Sequence, residues 1–523
     1  MPRLTFLLVV ATAIGCTDPA APTNTLIYGR GGDADTLDPI HTSLGETVKV
    51  LVNIYDTLVT YDDVSIELVP SLATRWETSD DGLIWTFYLR EGVQFHDGTP
   101  FTAAAVVFTF GRILDDDHPH VYGPLPAYRP HYAMIRRVES VDDLTVKFTL
   151  DHPSAVFLNN LGMFPAGIVS PAAVQQQEKT YGSNPVGTGP FQLEAWARGE
   201  ELVLMANDAH WRGRPAIDRA IFIPVAESAI RVQQLKRAEV HIADNLPPPE
   251  IDALVGEPEI VIQQHNGMNI GYLTMQMEKP PLDNVKVRHA IWHAIDKRRL
   301  CAVAYADHAI PAENMTPPTI WGHLDEIQGR REFDPSTSRR LLEEASREDG
   351  FSLPLSLTLF AMASPRPYMQ QPRQTAVFIK DALADVGIDV RIETGDIRQY
   401  FRRLSAGEHE LGLSGWSSDT ADPDSFLFSL LHASQISDAG GSNMSRYRNA
   451  AVDTLLEQAQ QELDQSRRAE MYRAAQQLIY DDAPTVPLVH TKVRIAQRSE
   501  LKGYLLHPSS MVRLRRAYFE VGQ

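Results

Sequence analysis

The sequence predicts a multi-lobed α/β protein that carries a β-rich insertion. Short strands dominate the first third of the chain, whereas helices followed by strands fill the second half. With 523 residues, 43% of them hydrophobic, the chain is long enough for two or three units that each bury a core. We find no internal repeat, so the units are not copies of one another.

The β-rich part is indicated by two strands with turns before them. Residues 83–90 read LIWTFYLR and follow the turn-forming sequence DDG. Residues 144–150 read LTVKFTL, alternate apolar with polar positions, and follow the pair Asp142 and Asp143, which predicts a hairpin turn. Between these strands, Thr102 is expected to cap a helix that begins AAAVVFTFGRIL.

The second half of the chain is predicted to be mainly helical. Asn284 is expected to cap a helix with the sequence VKVRHAIWHAIDKRRL, in which Val287, Ile291 and Ile295 share one face. Asp334 and the proline after it predict the start of another helix. The remaining predictions are a helix over 372–386 that stops at Gly387, a strand IDVRIE after it, and two amphipathic helices over 450–463 and 466–481.

The N-terminus has the pattern of an export signal. Residues 4–14 read LTFLLVVATAI, about half the length needed to span a bilayer, and Arg3 precedes them. The run ends at AIGC, which resembles a bacterial lipobox and implies cleavage after residue 15 and lipidation of Cys16. An ordinary cleaved signal with a chance cysteine is the alternative. Residues 17–25 have the composition of a flexible tether.

Charge and motifs argue against several classes of function. The formal net charge of −19 disfavours nucleic-acid binding, which needs clustered Lys and Arg. Phosphate-loop, dinucleotide-binding and nucleophile-elbow patterns do not occur. His289 and His293 have zinc-helix spacing but lack the intervening Glu of a metalloprotease. The loop with Asp and His residues at 115–120 is expected to be solvated, and Cys301 to be a buried thiol. We therefore predict no catalytic residue, metal or cofactor.

Several segments together resemble one family along nearly the whole chain. Residues 72–110, LATRWETSDDGLIWTFYLREGVQFHDGTPFTAAAVVFTF, are similar to the signature of the solute-binding proteins of peptide and nickel ABC importers, family 5. Further similar segments are NPVGTGPF (184–191), NDAHWRGRPAIDRAIF (207–222), KPPLDNVKVRHAIWHAIDKRRL (279–300), GWSSDTADPDSFL (415–427) and DDAPTVPLVH (481–490). Within the family, GMNIGYL and PPTIWGH most resemble the dipeptide-binding branch.

The resemblance implies a two-lobed periplasmic-binding-protein fold (class II, type C) with an extra β-rich domain in the first lobe. The implied bounds are 26–52, 185–267 and 493–523 for the first lobe, 53–184 for the extra domain and 268–492 for the second lobe. The ligand is expected between the lobes, the partners are expected to be the permease subunits of an ABC importer, and the protein is expected to be a monomeric lipoprotein in the periplasm or on the cell surface. The signature at 72–110 then lies away from the ligand.

A dipeptide needs one acid and one base in its site. Its two charged ends lie about 7 Å apart, and enclosing them is costly unless each meets an opposite charge. The resemblance implies Asp419 for the α-amino group and Arg366 for the carboxylate, which a guanidinium can hold by two parallel bonds. The alternative is that Asp419 and Arg366 are ordinary charged residues in loops and bind no ligand.

Weaker candidates surround these two positions. Trp416 is expected to stack on the ligand and Tyr368 to border the carboxylate site, with a place in the core as the alternative for each. The family position of the first-lobe loop that meets the ligand corresponds to TSLGET, including Thr42, Ser43 and Gly45. Asp422 and Asp424 resemble paired catalytic carboxylates, but in DPDSF a turn and a helix cap are expected instead.

These observations predict an extracytoplasmic receptor that delivers short peptides, with dipeptides favoured, to an importer. A second hypothesis is another solute on the same scaffold: glutathione, haem, a nickel chelate or an oligosaccharide. A third, a surface peptidase, is disfavoured because the sequence shows no nucleophile motif or metal triad.

Overall fold

The computed structural model describes residues 24–123, 126 and 128–520. The predicted signal peptide, Cys16 and most of the predicted tether lie outside these residues and stay predictions. In the part of the chain that the structure describes, no helix is both long and apolar enough to cross a membrane.

The strands of the described residues are numbered in chain order. They are β1 (Thr25–Arg30), β2 (Val59–Tyr61), β3 (Leu68–Pro70), β4 (Ala73–Thr78), β5 (Ile84–Leu89), β6 (Ile135–Asp142), β7 (Thr145–Leu150), β8 (Phe191–Ala197), β9 (Glu201–Ala206), β10 (Arg219–Pro224), β11 (Ile242–Asp244), β12 (Ile260–Asn266), β13 (Asn269–Met275), β14 (Ala309–Pro311), β15 (Leu355–Met362), β16 (Ile388–Gly395), β17 (Leu411–Ser417), β18 (Thr485–Arg498), β19 (Leu501–Lys502) and β20 (Tyr518–Phe519).

The α-helices are numbered in the same way. They are α1 (Gly45–Ile54), α2 (Ala103–Leu114), α3 (Phe157–Leu161), α4 (Pro171–Gln177), α5 (Ser228–Lys236), α6 (Pro248–Asp252), α7 (Val285–Ala294), α8 (Lys297–Tyr305), α9 (Pro335–Asp349), α10 (Pro372–Ala384), α11 (Ile397–Ser405), α12 (Asp424–Leu431), α13 (Ala450–Gln461) and α14 (Gln465–Asp482).

One large sheet of twelve strands forms the framework of the protein. Its order is β16-β15-β17-β13-β18-β11-β1-β10-β9-β8, and β12 and β14 also pair with β18. The first half of β18 pairs with β13 and β14, and its second half pairs with β11 and β12. Strand β18 is therefore shared by the two halves of the sheet and connects them.

Each half of the sheet has its own core. On the β1 side, β1 lies parallel to β10 and β11, and apolar residues such as Leu26, Phe222 and Ile242 are fully buried. On the β15 side, β15 lies parallel to β16 and β17, and its residue Leu359 packs in a separate cluster with Ile379 of α10. Two cores on either side of a shared strand are the expected form of a two-lobed protein.

A separate antiparallel sheet, in the order β4-β5-β7-β6, lies in the N-terminal part of the chain. Phe87 of β5, Phe148 of β7 and Phe110 of α2 are fully buried together, with ring centroids 5.0 to 5.5 Å apart in edge-to-face contacts. The β-rich unit thus has a core of its own, as the two strands at 83–90 and 144–150 predicted.

Most of the predicted elements are confirmed, with two corrections. Asn284 caps α7, Asp334 caps α9, and Gly387 follows α10 with φ +91°, a conformation that favours glycine. The long helix predicted after Asn284 is wrong, because Asp296 accepts a hydrogen bond from the Arg299 amide at 3.0 Å and starts a new helix, α8. Thr102 stands before α2 as predicted, but its side chain makes no capping hydrogen bond.

Candidate functional site

A cavity of about 1560 Å³ lies where the two halves of the large sheet and the β-rich unit meet. The two sequence-predicted anchors, Asp419 and Arg366, both line it. They follow the carboxyl ends of β17 and β15, two adjacent parallel strands, which is where open α/β sheets usually bind ligands. Residues from both halves of the large sheet and from the β-rich unit line this cavity, and its volume can hold a ligand of several residues.

The loop that carries Asp419 is fixed by its neighbours. The Ser418 amide donates to the Met268 carbonyl at 2.9 Å, and the Thr420 amide donates to the Ser418 hydroxyl at 3.1 Å. The Ser418 hydroxyl also lies 2.7 Å from the hydroxyl of Ser425 at the start of α12. These contacts leave little freedom to the backbone on both sides of the carboxylate, so the direction of Asp419 is set before any ligand arrives.

The Asp419 carboxylate is an unpaired charge in this cavity. It is partly buried, and within the described residues it forms no ion pair. The Tyr128 hydroxyl from the β-rich unit donates to its Oδ2 at 3.0 Å. Burial raises the pKa of Asp419, and the Tyr128 hydrogen bond offsets part of that rise. A cation entering the cavity would remove this penalty, so Asp419 is well placed to bind an ammonium group.

Arg366 sits in a tight turn that is held against the large sheet. The Arg366 amide donates to the Met369 carbonyl at 3.0 Å, and the reverse bond has the same length. The Thr491 hydroxyl of β18 donates to the Pro367 carbonyl at 2.6 Å. The turn is thereby attached to the shared central strand.

Two paired glycines make room for this turn. Gly271 of β13 lies opposite Gly415 of β17. A Cβ atom at Gly415 would lie 2.1 Å from the Tyr368 ring, and one at Gly271 would lie 2.5 Å from the Tyr368 carbonyl oxygen. Any side chain at either position would therefore push Tyr368 and the Arg366 turn away from the sheet.

The Arg366 guanidinium is open to a ligand. Within the residues that the structure describes, its Nε is buried without a hydrogen-bond partner and the side chain forms no ion pair. Burial raises the pKa of the neighbouring Tyr368 to about 12, so that phenol stays neutral and can donate a hydrogen bond. The pair offers donors to an anion and no competing negative charge.

Of the other residues predicted to contact the ligand, all but Thr42 line the cavity. Trp416 and Tyr368 line the cavity, and the Trp416 indole donates to the Ser425 hydroxyl at 3.2 Å. Ser43 and Gly45 also line it and are exposed. Thr42 is almost fully buried beneath them, where its hydroxyl donates to Asp35 at 2.8 Å and accepts from the Leu44 amide at 3.1 Å. The structure thus places Thr42 in support of the loop and outside the cavity lining.

Asp422 and Asp424 do not form a catalytic pair. Asp422 is buried and forms an ion pair with Arg468 at 2.8 Å, and it accepts from the Asp424 amide at 3.1 Å, which confirms the predicted turn. Pro423 holds the position directly before α12 and forms no capping hydrogen bond, but the same bond from the Asp424 amide to the Asp422 carboxylate satisfies the first amide of the helix, as the predicted cap requires. Burial, with a further contribution from the charge of Asp422, raises the pKa of Asp424 to about 7. The Gln460 amide donates to Asp424 at 2.9 Å.

The residues considered for metal or thiol chemistry have structural partners instead. In the described part of the chain, no group of three or more potential metal-ligand side chains is found. His289 lies 2.7 Å from the Asp481 carbonyl and 2.8 Å from the Arg331 guanidinium, an arrangement unlike a zinc site. Asp116 of the acidic loop pairs with Arg129. Cys301 is a buried free thiol, as predicted, and burial raises its pKa to about 12.

Sequence reasoning missed two parts of the cavity. Tyr128 and its neighbours His131 and Asn160 come from the β-rich unit, which the resemblance placed away from the ligand. No residue of the signature segment 72–110 lines the cavity. The expectation that the β-rich unit lies away from the ligand therefore holds for this segment but not for the whole unit. Arg494 of β18 also lines the cavity. The alternation of charged and apolar residues at Lys492, Val493, Arg494 and Ile495 was the signal that could have revealed it, because it puts both charges on one face of the strand.

The fold and the cavity together define a two-lobed binding protein whose cavity can take a ligand with one positive and one negative group. The chain belongs to the family of bacterial extracellular solute-binding proteins, family 5, whose model matches residues 67–438. Members of this family bind solutes for ABC importers, and the protein is a solute-binding protein and not an enzyme.

Named relatives cover nearly the whole chain. A dipeptide-binding protein of Escherichia coli is 33% identical over 504 residues, 92% of each chain. Heme-binding protein A of Haemophilus influenzae is 34% identical over 471 residues, 87% of this chain and 85% of that protein. The structure is also similar to a periplasmic binding protein of Helicobacter pylori solved with the peptide STSA. Its TM-score is 0.82 at 33% identity, over 95% of this chain and 98% of the other.

These similarities confirm the predicted two-lobed fold with its extra β-rich domain. The exact residue bounds of the lobes and the extra domain, and the roles of individual site residues, stay predictions.

Proposed function

We propose that the protein captures short peptides, with dipeptides as the favoured length, and delivers them to an ABC importer from the periplasmic side of the membrane. The observation that carries this proposal is the pair of unmatched charges in one cavity: the Asp419 carboxylate and the Arg366 guanidinium. A peptide with free ends supplies the opposite charge to each. Peptide-binding relatives over nearly the full chain length support the same ligand class.

The two charges explain why an uncharged or singly charged solute would bind poorly. A ligand that fills the cavity displaces the water that now solvates both groups. If it lacks an ammonium group, Asp419 stays enclosed with only the Tyr128 hydroxyl as a partner. If it lacks a carboxylate, the buried Nε of Arg366 stays unpartnered. Each unpaired buried charge costs several kcal/mol, on the order of the whole affinity of a small ligand.

Haem is the second candidate, because one relative of similar identity bears the name heme-binding protein A. Haem has two carboxylates and no ammonium group, so it matches Arg366 but leaves Asp419 unpaired. The cavity volume of about 1560 Å³ alone does not separate a peptide from a larger ligand. The Asp419 end of the cavity is therefore the part that discriminates between the two.

Isothermal titration calorimetry with end-blocked peptides tests the proposal. We expect Ala-Ala to bind, and both N-acetyl-Ala-Ala and Ala-Ala amide to bind at least about 30-fold more weakly, since each leaves one buried charge unpaired. Equal affinity for the blocked and free peptides would contradict the assignment of both anchors. Binding of haem with no binding of Ala-Ala would establish the second candidate instead.

We also propose that Cys16 is lipidated, which would hold the binding protein at the membrane beside its permease. The AIGC sequence after the apolar leader supports this proposal. Mass spectrometry of the N-terminal peptide from the expressed full chain tests it: the parent should begin at an acylated Cys16, and a Cys16→Ser variant should carry no acyl group. A mature N-terminus with an unmodified Cys16 would contradict the proposal.

A further inference from the structure

Arg494 is a buried cation that lines the cavity and has no role in the peptide binding proposed for Asp419 and Arg366. It lies on the shared strand β18, lines the cavity, and has only 6% of its surface exposed. Its Nε and Nη1 are buried and have no hydrogen-bond partner among the described residues. Buried guanidinium groups normally have their donors satisfied, because an unmade hydrogen bond to a charged group is costly. The unmet donors therefore point to a group that the cavity receives from outside.

The surroundings of Arg494 supply almost no negative charge. Its Nη2 donates to the Gln370 side-chain oxygen at 2.7 Å, which is a neutral partner. The acid that acts on it electrostatically is Asp252, whose carboxylate lies 2.9 Å from the His308 ring and forms no ion pair with Arg494. Burial lowers the pKa of Arg494 to about 10, so the side chain is still charged at neutral pH.

Arg494 and Arg366 are carried by two elements that are joined to each other, β18 and the turn after β15. Thr491 of β18 holds the turn through its 2.6 Å hydrogen bond to the Pro367 carbonyl. Three residues further along the same strand, Arg494 holds Gln370. The two guanidinium groups thus emerge from two elements that are fastened to each other at two points, and both lack an acidic partner among the described residues.

Charge balance decides what this junction can receive. One peptide carboxylate satisfies one guanidinium, and a second guanidinium enclosed beside it would remain a buried unpaired cation. Lys492, two residues before Arg494 on the same face of β18, also lines the cavity but is partly exposed and can stay hydrated. Two anionic groups at the carboxyl end of the ligand would satisfy both arginines.

We propose, building on the peptide-binding function above, that Arg494 is a specificity residue for an acidic side chain at the C-terminal position of the peptide, so that peptides ending in Glu or Asp are preferred ligands. The α-carboxylate binds Arg366 and the side-chain carboxylate binds the free Nε and Nη1 edge of Arg494. Glutamate and aspartate carry both groups on a single residue, which suits two cations on elements that are fastened to each other at Pro367 and Gln370.

Calorimetry with Ala-Ala, Ala-Gln and Ala-Glu on the wild-type protein tests the proposal without any mutation. We expect Ala-Glu to bind at least about tenfold more tightly than Ala-Gln, which has nearly the same shape and no second charge. Equal affinity for these two peptides, with Ala-Ala still bound, would overturn the role of Arg494 and leave the proposed function intact. Failure of all three to bind would overturn the proposed function and this inference with it.

Two variants then assign the preference to one side chain. Arg494→Gln should reduce the ratio of Ala-Glu to Ala-Gln affinity to less than about threefold while Ala-Gln still binds. Lys492→Gln, the matched control on the same strand face, should keep the wild-type ratio. A ratio that persists in Arg494→Gln, or that is lost in Lys492→Gln instead, would overturn the assignment. The wild-type comparison decides the question if Arg494→Gln does not fold.

Discussion

Replacing Asp419 by Asn should weaken peptide binding strongly without harming the fold. The change keeps the shape of the side chain and its position near Tyr128, and it removes only the negative charge. In the bound state, the peptide ammonium would then be enclosed with hydrogen bonds but no counter-charge. We therefore expect the loss to appear in ligand affinity.

The structure sets the size of this effect. Asp419 forms no ion pair among the described residues, so its whole charge is open to the ligand. Removing one member of an enclosed, hydrogen-bonded charge pair costs about 2 to 5 kcal/mol. The lower bound, about 2 kcal/mol, corresponds to roughly 30-fold in the dissociation constant. Asp419→Ala should lose at least as much, because it also removes the hydrogen-bond acceptor.

Calorimetry with Ala-Ala measures the loss directly. Asp438→Asn is a matched control, since Asp438 lines the same cavity but is exposed and already pairs with Arg446. This control should bind within about twofold of the wild type. An Asp419→Asn protein that binds within about threefold of the wild type would refute the reasoning and remove Asp419 from the site.

The same variant should leave the ligand-free protein at least as stable as the wild type. Burial raises the pKa of Asp419 in the folded state above its value in the unfolded chain, so the charged form is disfavoured by folding. The resulting penalty is present at pH values above the raised pKa and disappears as the pH falls and the carboxylate takes up a proton. Thermal unfolding at neutral pH should thus give Asp419→Asn a melting temperature equal to or above that of the wild type, whereas a structural acid would give a lower one.

Four other expected outcomes rest on the same contacts. Arg366→Gln should weaken Ala-Ala binding by about 2 kcal/mol and reduce the preference for dipeptides over tetrapeptides; equal wild-type affinity for both lengths, measured by calorimetry, would contradict its role in setting ligand length. Affinity for Ala-Ala should fall as the pH drops through the raised pKa of Asp419, and a profile that is unchanged in Asp419→Asn would count against that carboxylate. Arg468→Met should lower the free energy of unfolding in urea by about 3 to 5 kcal/mol, because it leaves Asp422 buried without its counter-charge; a loss below about 1 kcal/mol would show that this pair is not structural. Saturation with Ala-Ala should reduce the radius of gyration in small-angle scattering and raise the melting temperature, since the ligand contacts both lobes only when they are closed; a stabilised protein with an unchanged radius would contradict closure.

Local patterns in the sequence predicted much of the secondary structure. The turn-forming sequences before 83–90 and 144–150, and the capping residues Asn284 and Asp334, act within a few residues of where they stand. Such signals are readable from one chain because their partners are close in sequence. The break at Asp296 shows the limit, since an acidic side chain can extend a helix surface or start a new helix, and periodicity alone favoured the first.

The shared role of β18 could not be read from its sequence. The fourteen residues of this strand pair with β11, β12, β13 and β14, which belong to both halves of the large sheet. All four partners lie far away along the chain, as the pairing of Pro311 with Val489 illustrates, so no local pattern records them. For the same reason, the hydrogen bond from the Thr491 hydroxyl to the Pro367 carbonyl could be seen only in the structure.

The candidate site was predicted in part, and the part that was found depended on family resemblance. The resemblance to the family assigned Asp419 and Arg366 to the two ends of the ligand, and the structure brings both to one cavity. Tyr128 was missed because a tyrosine in a loop has no distinguishing pattern, and its contact with Asp419 joins residues 291 positions apart. Thr42 was named with its loop, but burial and hydrogen bonding to Asp35 turn it away from the cavity.

The central claim, that the cavity receives peptides with free ends, is tested most directly by identifying what the protein carries. The protein should be purified without added ligand and denatured, and the released small molecules should be identified by mass spectrometry. We predict short peptides, mainly dipeptides, with unblocked amino and carboxyl ends. Recovery of haem, a metal chelate or a sugar in stoichiometric amount, with no peptides, would contradict the account.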